Sequence, residues 1–270
     1  MAINVDTVYK TVLLILNKEQ RGYMTPPEFN RIGTQVQLDI FEQYFEDLNQ
    51  QLRVPQANVD YSDRQESLDE KISIFKTSGN ASFNPTGTPS LFWSLPTTDI
   101  YGTSIIYNLL TPLTANQAYF YKIGNVKYQD TAVDTYPTNI QRLQPSEFVD
   151  IQKSDLTAPS KNYPVYLYEN NRLFISPSTI TGTPVTEKVT VDFLRKPKNI
   201  QWDFTADGVG GSYLFNNTAT GSSVNFELSS TEQVSVITRI LLYAGIVIRD
   251  PQIIQVAAQQ IQQQEQNQKQ

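Results

Sequence analysis

Apolar residues in the first part of the chain repeat every three or four positions, which is the period of an amphipathic helix. This spacing predicts a helix over about residues 5–20. Thr25, Pro26 and Glu28 mark the start of a second helix, because Thr can cap backbone amides, Pro suits the first helical position and Glu completes a capping box. The apolar stripe that follows predicts a helix over 26–52, roughly 40 Å long at 1.5 Å per residue.

Apolar and polar residues alternate in the middle of the chain, as they do in half-buried strands. Gly124-Asn125 and Asn170-Asn171 are each expected to form the turn of a hairpin, because Gly and Asn tolerate positive φ angles. Residues 77–90 are rich in Ser, Thr, Asn, Gly and Pro and are expected to form a loop or an extended arm. Strands are predicted at 72–75, 91–95, 118–123, 126–128, 165–169, 172–176 and 188–195, and short helices at 62–71 and 145–153.

Helical spacing returns towards the C-terminus, after a last predicted strand at 225–228. The final twelve residues contain eight Gln, so this end is expected to order only against a neighbour. The order of elements predicts an α+β fold, in which the terminal helices form a bundle beside a central antiparallel sheet or small sandwich. We divide the chain into an N-terminal helical part (1–71), a central antiparallel β domain (72–228) and C-terminal helices that pack with the N-terminal ones (229–270).

Composition removes several classes of chemistry. The 270 residues include no Cys and no His, which excludes disulfides, Cys/His zinc sites, thiol nucleophiles and every His-based catalytic triad. No cofactor and no metal are predicted, and the chain is not expected to be an enzyme. Apolar runs are too short for a transmembrane helix, so no membrane contact is expected.

The charge is acidic and uneven. The chain has 21 basic and 27 acidic side chains, a net charge of −6. Residues 1–71 account for most of this, with 7 basic and 12 acidic side chains. Phosphate contacts need clustered Lys and Arg, so specific binding to nucleic acid is not expected.

The predicted helix over 26–52 carries an acidic face made of Asp39, Glu42, Glu46 and Asp47. It can be a solvated face, or it can face a basic partner or another negative object. Paired carboxylates of the glycosidase type are a third interpretation, which a solvated helix face outweighs.

Other motifs indicate structure more than chemistry. Residues 208–211 are Gly-rich but lack the Lys and Ser/Thr of a phosphate loop, and Asp203 and Asp207 lack the ligand spacing of an EF-hand. Trp93 and Trp202 are expected in the core or at its rim rather than stacked on a sugar. The tyrosines at 119, 121 and 128 are expected to pack, because few basic residues are interleaved with them.

Several segments together resemble structural proteins of tailed bacteriophages. In 163–177, an extended strand, a polar turn and a strand ending in Pro precede a further strand at 189–197 that also ends in Pro, and a short strand and a C-terminal helix follow. This order is similar to that of head-to-tail connector, or neck-ring adaptor, proteins. The segments 11–23 and 27–30 resemble the start of neck or ring proteins of crAss-like and related podoviruses.

The resemblance implies a virion protein that forms a ring of about twelve copies in the neck. It implies contact with the portal protein and with a tail or second ring protein, and synthesis in the cytoplasm of the host bacterium. Genomic DNA would pass through the ring without sequence-specific binding.

This role suggests two contact surfaces. An acidic lumen repels phosphate, so the acidic face either lines the lumen or forms a ring interface, and reversing its four charges is expected to slow DNA passage or impair assembly. Adaptors often dock a C-terminal helix into the portal, so deleting 251–270 is expected to abolish portal binding. Within that segment the apolar contact residues are expected to be Ile253, Ile254, Val256 and Ile261.

Two other classes remain open. One is a different virion component of the tail, baseplate or capsid, which would differ in its number of copies. The other is a tail-associated hydrolase that relies on carboxylates, or an unrelated binding module. A hydrolase would need converging acids with raised pKa values, which the sequence does not indicate.

Overall fold

The computed structural model describes most of the chain. The described residues are 2–18, 23–53, 60–86, 91–108, 113–114, 116–182, 186–206, 213–216, 222–248, 255–256, 258–263 and 266.

Helices lie towards both ends of the chain and strands occupy the middle. The helices are α1 (Val5–Lys18), α2 (Pro26–Arg53), α3 (Asp60–Ser73), α4 (Pro145–Lys153) and α5 (Gln233–Ile248), and a 3₁₀ turn at Ser230–Glu232 leads into α5. The strands are β1 (Ala2–Ile3), β2 (Lys76–Asn80), β3 (Ser82–Asn84), β4 (Phe92–Ser94), β5 (Ser104–Ile106), β6 (Gln117–Asp130), β7 (Thr138–Arg142), β8 (Val165–Glu169), β9 (Arg172–Ser176), β10 (Glu187–Arg195), β11 (Phe204–Ala206), β12 (Tyr213–Phe215) and β13 (Phe226–Ser229).

The chain folds into two compact units. A helical unit consists of Met1–Ile74, Leu113–Ala115 and Pro197–Gln270, and a β unit consists of Phe75–Pro112 and Asn116–Lys196. The sequence division placed 197–228 in the β domain, whereas the contacts place it with the helices. The reason lies in the pairing of its strands: β13 pairs with β1, and β11 pairs with β12, so none of them joins the central sheet.

The core of the helical unit is built on one side of α2. Phe29, Val36 and Ile40 are buried there, and their separations of seven and four positions place them on the same side of a helix. Helix α5 packs against α1 and α2, as the predicted bundle of terminal helices requires. Gly33 permits the close approach of Ile200, because a Cβ at position 33 would collide with the Ile200 side chain.

The β unit is one mixed sheet in the order β2-β10-β6-β7-β8-β9-β4-β3, with β5 paired to β6. The β7–β8 and β5–β6 pairs are parallel, and the other pairs are antiparallel. Only Ala81 separates β2 from β3, the two ends of this order, so the sheet is nearly closed. Its inner side forms a core that includes Val126, Val191 and Phe193.

The second predicted hairpin is confirmed. β8 and β9 pair in register from Val165–Ser176 to Glu169–Arg172. Asn170 and Asn171 form the turn with φ angles of 47° and 58°. Asn is among the few residues with a side chain that visit this left-handed region readily, which is why the pair predicts the turn.

The first predicted hairpin is wrong. β6 continues through Gly124 and Asn125 without turning, and both residues face the single residue Asp192 of β10. The register shifts between Val191 and Phe193, so the extra residue forms a β-bulge. Gly124 suits this position, because a Cβ there would lie 3.0 Å from the carbonyl oxygen of Asp192.

Two further predictions near the start of the β unit are wrong. Residues 72 and 73 belong to α3 rather than to a strand, and the buried residues Leu68 and Ile72 stand four positions apart on that helix. The segment predicted as a loop over 77–90 contains most of β2 and all of β3. Small polar residues fit β2 because the buried positions there are Thr77 and Gly79, and Pro96 packs where a Cβ of Gly79 would lie.

The α+β class is therefore confirmed, with α1, α2, α3 and α5 in the helical unit and α4 beside the sheet in the β unit. The central sheet is mixed rather than antiparallel as predicted, because two of its strand pairs are parallel. Among the helices that the structure describes, none combines the length and the apolar character needed to cross a bilayer.

Candidate functional site

The acidic face expected to contact a partner lies on α2, whose first turn is fixed by its own side chains. The carboxylate of Glu28 accepts hydrogen bonds from the backbone N–H of Thr25 at 2.9 Å and from its hydroxyl at 2.7 Å. These bonds lower the pKa of Glu28. Half of the predicted capping box is present, but the Thr25 hydroxyl donates to Glu28 instead of accepting a backbone bond.

The inner side of α2 includes one buried amide that the apolar pattern did not reveal. Gln37 is fully buried, donates from Nε2 to the carbonyl oxygen of Lys198 at 2.7 Å, and accepts from the backbone N–H of Glu227 at 2.8 Å. It therefore fixes the rotation of α2 about its axis, and this rotation decides which acids point outward.

The four acids do not form one face. At about 100° per residue, Asp39, Glu42 and Glu46 fall within about 60° of one another, whereas Asp47 is about 100° from Glu46. Glu42 and Glu46 are exposed, and Asp39 and Asp47 are half-buried. The pKa of the Tyr44 hydroxyl is raised, mainly by burial and then by the charge of Glu232. The nearby charge of Asp47 makes a smaller contribution in the same direction.

Asp39 takes part in the contact between α2 and α5. Its carboxylate accepts from the hydroxyl of Tyr243 at 2.7 Å and from Nε2 of Gln35 at 2.8 Å. The hydrogen bond to this carboxylate raises the pKa of Tyr243. One turn along, Arg239 donates to the amide oxygen of Gln43 at 2.6 Å. Asp39 therefore stabilises helix packing, and Glu42 and Glu46 are the members of the predicted face that α2 presents to solvent.

Helix α3 adds acids that were not among the predicted contact residues. Glu66, Asp69 and Glu70 are exposed, while Leu68 and Ile72 of the same helix are buried. The signal was available in the sequence, because the acids alternate with apolar residues at helical spacing. We call the exposed carboxylates of both helices the outer acidic surface: Glu42, Glu46, Glu66, Asp69 and Glu70.

The predicted portal-contact segment is described only in part. Ile253 and Ile254 lie outside the described residues. Val256 is helical and exposed, and Ile261 is helical and half-buried.

The carboxylate of Asp203, considered as a metal ligand, is occupied by hydrogen bonds. It accepts from Nδ2 of Asn216 at 2.9 Å and from the backbone N–H groups of Ser222 at 3.1 Å and Phe204 at 3.0 Å. These bonds hold the β11–β12 hairpin. Asp207 and the glycines at 208–211 lie outside the described residues. Elsewhere in the described ranges, no three Asp or Glu side chains converge as a ligand group.

The aromatic side chains considered for stacking mostly lie in cores, as expected. Trp202 is buried, packs against Tyr9 with ring centroids 4.4 Å apart, and donates from its indole to Asp6 at 3.1 Å. Trp93 is buried against Phe83. Tyr128 is buried, while Tyr119 is half-buried and Tyr121 is exposed.

A buried ion pair in the β unit was missed. The Glu187 side chain is 2% exposed and accepts from Nζ of Lys161 at 2.6 Å, from the backbone N–H of Thr181 at 3.2 Å and from the hydroxyl of Tyr128 at 3.3 Å. Burial raises the pKa of Glu187, but these bonds outweigh it and hold the pKa below its usual value. The sequence of β10 could have revealed this buried carboxylate. Residues alternate between the two sides of a strand, and Glu187 falls on the same inward side as Val189 and Val191.

Comparison of the sequence with known proteins identifies no relative. No protein-family model matches the chain, and no curated protein is significantly similar to it. The resemblance to phage connector proteins therefore remains an expectation from the sequence.

Proposed function

We propose that this chain is a structural protein of a tailed-bacteriophage particle that forms a ring in the head-to-tail connector. DNA passes through the ring, the portal protein lies on one side, and a tail or second ring protein lies on the other. The phage assignment rests on the sequence resemblance. The observation that carries the assembly role is the exposed segment around α4 in the β unit.

Helix α4 has no buried residue. It has nine residues, and a helix of that length gains little stability from propensity alone. Val149 on α4, and Leu156 and Tyr163 after it, are exposed, with Leu156 at 94%. Exposed apolar side chains of this kind are available to a partner protein that would cover them. A neighbouring subunit or virion protein would cover these side chains, in addition to the contact that α4 makes with β8.

The charge distribution supports the passage of DNA. The helical unit has 11 basic and 18 acidic side chains, and the β unit has 10 and 9. A duplex that slides must not be held, and an acidic surface repels its phosphates. A ring whose negative charge lies in one unit can therefore guide DNA without retaining it.

The test is the number of copies of this chain in purified particles of the phage that encodes it. Quantitative mass spectrometry with isotope-labelled peptides would give this number, with the portal protein of the same particles as the internal reference. We expect about a dozen copies per particle, as for a closed ring on the portal axis.

Hundreds of copies would contradict the connector role and assign the chain to the shell or the tail tube. Absence from the particles would overturn the virion role altogether and favour an enzyme or another non-virion protein.

A further inference from the structure

The outer side of the β sheet carries a group of lysines, which the negative net charge of the chain does not indicate. Residues opposite each other on neighbouring strands share one side of a sheet. On β10 the buried positions are 187, 189, 191, 193 and 195, so 188, 190, 192 and 194 point outward. The register places Lys76 of β2 and Lys122 of β6 on either side of Leu194, and Lys127 beside Thr190.

These lysines form one patch, which we call the lysine face: Lys76, Lys122, Lys127, Lys188 and Lys196. Lys122 and Lys188 are exposed, and Lys196 lies over the ring of Tyr121 at 5.8 Å. The outward positions of β2, β6 and β10 include one carboxylate, Asp192, which pairs with Lys127 at 2.5 Å. The face therefore has a clear positive excess.

We propose that the lysine face binds the outer acidic surface of a second copy of this chain. The inference rests on the proposed function, because a ring requires such a contact between neighbours. A patch of one sign cannot pair with the same patch of a second copy, so the lysine face of one copy must contact the outer acidic surface of the other. They complement each other head to tail, which is the geometry that produces rings.

Charge complementarity favours a second copy over DNA as the occupant. Within the lysine face, Leu194 lies between two lysines and Asp192 is part of the patch. An apolar side chain between the lysines suits a protein surface, which can cover it, better than a row of phosphates. Every copy also brings its own outer acidic surface, at high local concentration in a ring.

The test exchanges charges between the two surfaces of the full-length chain. One variant carries Lys122→Glu and Lys188→Glu, a second carries Glu42→Lys and Glu46→Lys, and a third carries all four changes. Lys10→Glu is the control, since Lys10 is exposed on α1 and belongs to neither surface. Sedimentation velocity at low and high salt measures self-association.

We expect the wild-type chain and the control to associate at low salt and to weaken at high salt, because exposed charges are screened. Each single-surface variant is expected to bind itself at least about tenfold more weakly, since like charges then face each other. The four-fold variant is expected to recover association. An equimolar mixture of the two single-surface variants is also expected to recover it, because every alternating contact regains opposite charges.

A wild-type chain that stays monomeric, or a four-fold variant and mixture that both fail to associate, would overturn the inference. A second result would also overturn the inference: the wild-type chain binds duplex DNA, only the Lys122/Lys188 variant loses this binding, and self-association does not change. That result would assign the lysine face to nucleic acid. If particles contain about a dozen copies but the charge swap does not restore self-association, the proposed function stands and this interface is rejected. If the charge swap restores self-association but the chain is absent from particles, this interface stands and the proposed function is rejected.

Discussion

At the scale of single residues, the polar side chains with most consequence are the buried ones. Glu187 lies at the inward end of β10 and is matched by Lys161, whose side chain is 47% exposed. The pair therefore places a desolvated carboxylate beside a cation that still reaches water. Removing the carboxylate leaves the hydroxyl of Tyr128 and the N–H of Thr181 with weaker acceptors.

We expect Glu187→Gln to lower the free energy of unfolding by about 1–3 kcal/mol at neutral pH. The folded pKa of Glu187 is depressed, so its contribution is present above the unfolded pKa of about 4.3 and is lost as the pH falls through the folded value. The difference between wild type and variant should therefore shrink in acid. Urea unfolding followed by circular dichroism at about pH 7 and about pH 3 measures both effects.

Glu169→Gln is the matched control, because it makes the same change at an exposed position of the same sheet. It is expected to leave the free energy of unfolding nearly unchanged. An equal loss for both variants, or a Glu187→Gln loss that is the same at both pH values, would contradict the role assigned to the buried pair.

At the scale of elements, α2 shows how one buried polar side chain can orient a long helix. Its apolar stripe determines which side is buried, and Gln37 adds two directional bonds to the backbone at Lys198 and Glu227. Glu227 belongs to β13, so the amide links the helix to a strand far along the chain.

We expect Gln37→Leu to destabilise the chain by about 1–3 kcal/mol, because the backbone N–H of Glu227 and the carbonyl of Lys198, both in half-buried residues, lose their bonds to the Gln37 amide while the apolar gain is small. Asn49→Leu is the control, since Asn49 carries the same amide group at an exposed position of the same helix. Thermal and urea unfolding of both variants measures the difference. Equal stability of the two variants would show that the stripe alone orients α2.

At the scale of the whole molecule, the β unit is an insertion in the sequence of the helical unit. Its two ends lie side by side, because the N–H of Arg195 donates to the carbonyl oxygen of Phe75 at 3.1 Å. Each unit has its own buried residues, which is the condition for a domain that folds alone.

We therefore expect a fragment of residues 75–196 to fold without the rest of the chain. Dispersed amide signals in an NMR spectrum and one cooperative unfolding transition are the expected results. The helical segments 1–74 and 197–270, joined by a short Gly-Ser linker, are the complementary fragment. A 75–196 fragment with collapsed amide dispersion would show that its core depends on the helical segments.

Local periodicity was sufficient for much of the secondary structure. α1, α2, α4, the β8–β9 hairpin and β10 all lie close to their predicted bounds, because each carries a complete local signal: an apolar stripe, a cap, a two-residue turn or strict alternation. The hairpin predicted at Gly124-Asn125 was wrong because the same dipeptide fits a bulge as well as a turn, and only the pairing with β10 selects the bulge. The loop predicted over 77–90 was wrong because burial in β2 and β3 comes from neighbouring strands, not from the apolar content of the segment itself.

The sequence by itself determined the α+β class, the helical ends and the acidic character of the first helices, since all three follow from composition and from spacing within about four residues. Tertiary structure decided that 197–228 joins the helices and that Asp39 binds Tyr243 while Glu42 and Glu46 face water. It also decided that the lysines of β2, β6 and β10 share one side of a sheet. Contacts between residues far apart in sequence set these positions, and a local pattern contains no information about which strands pair or which helices pack together.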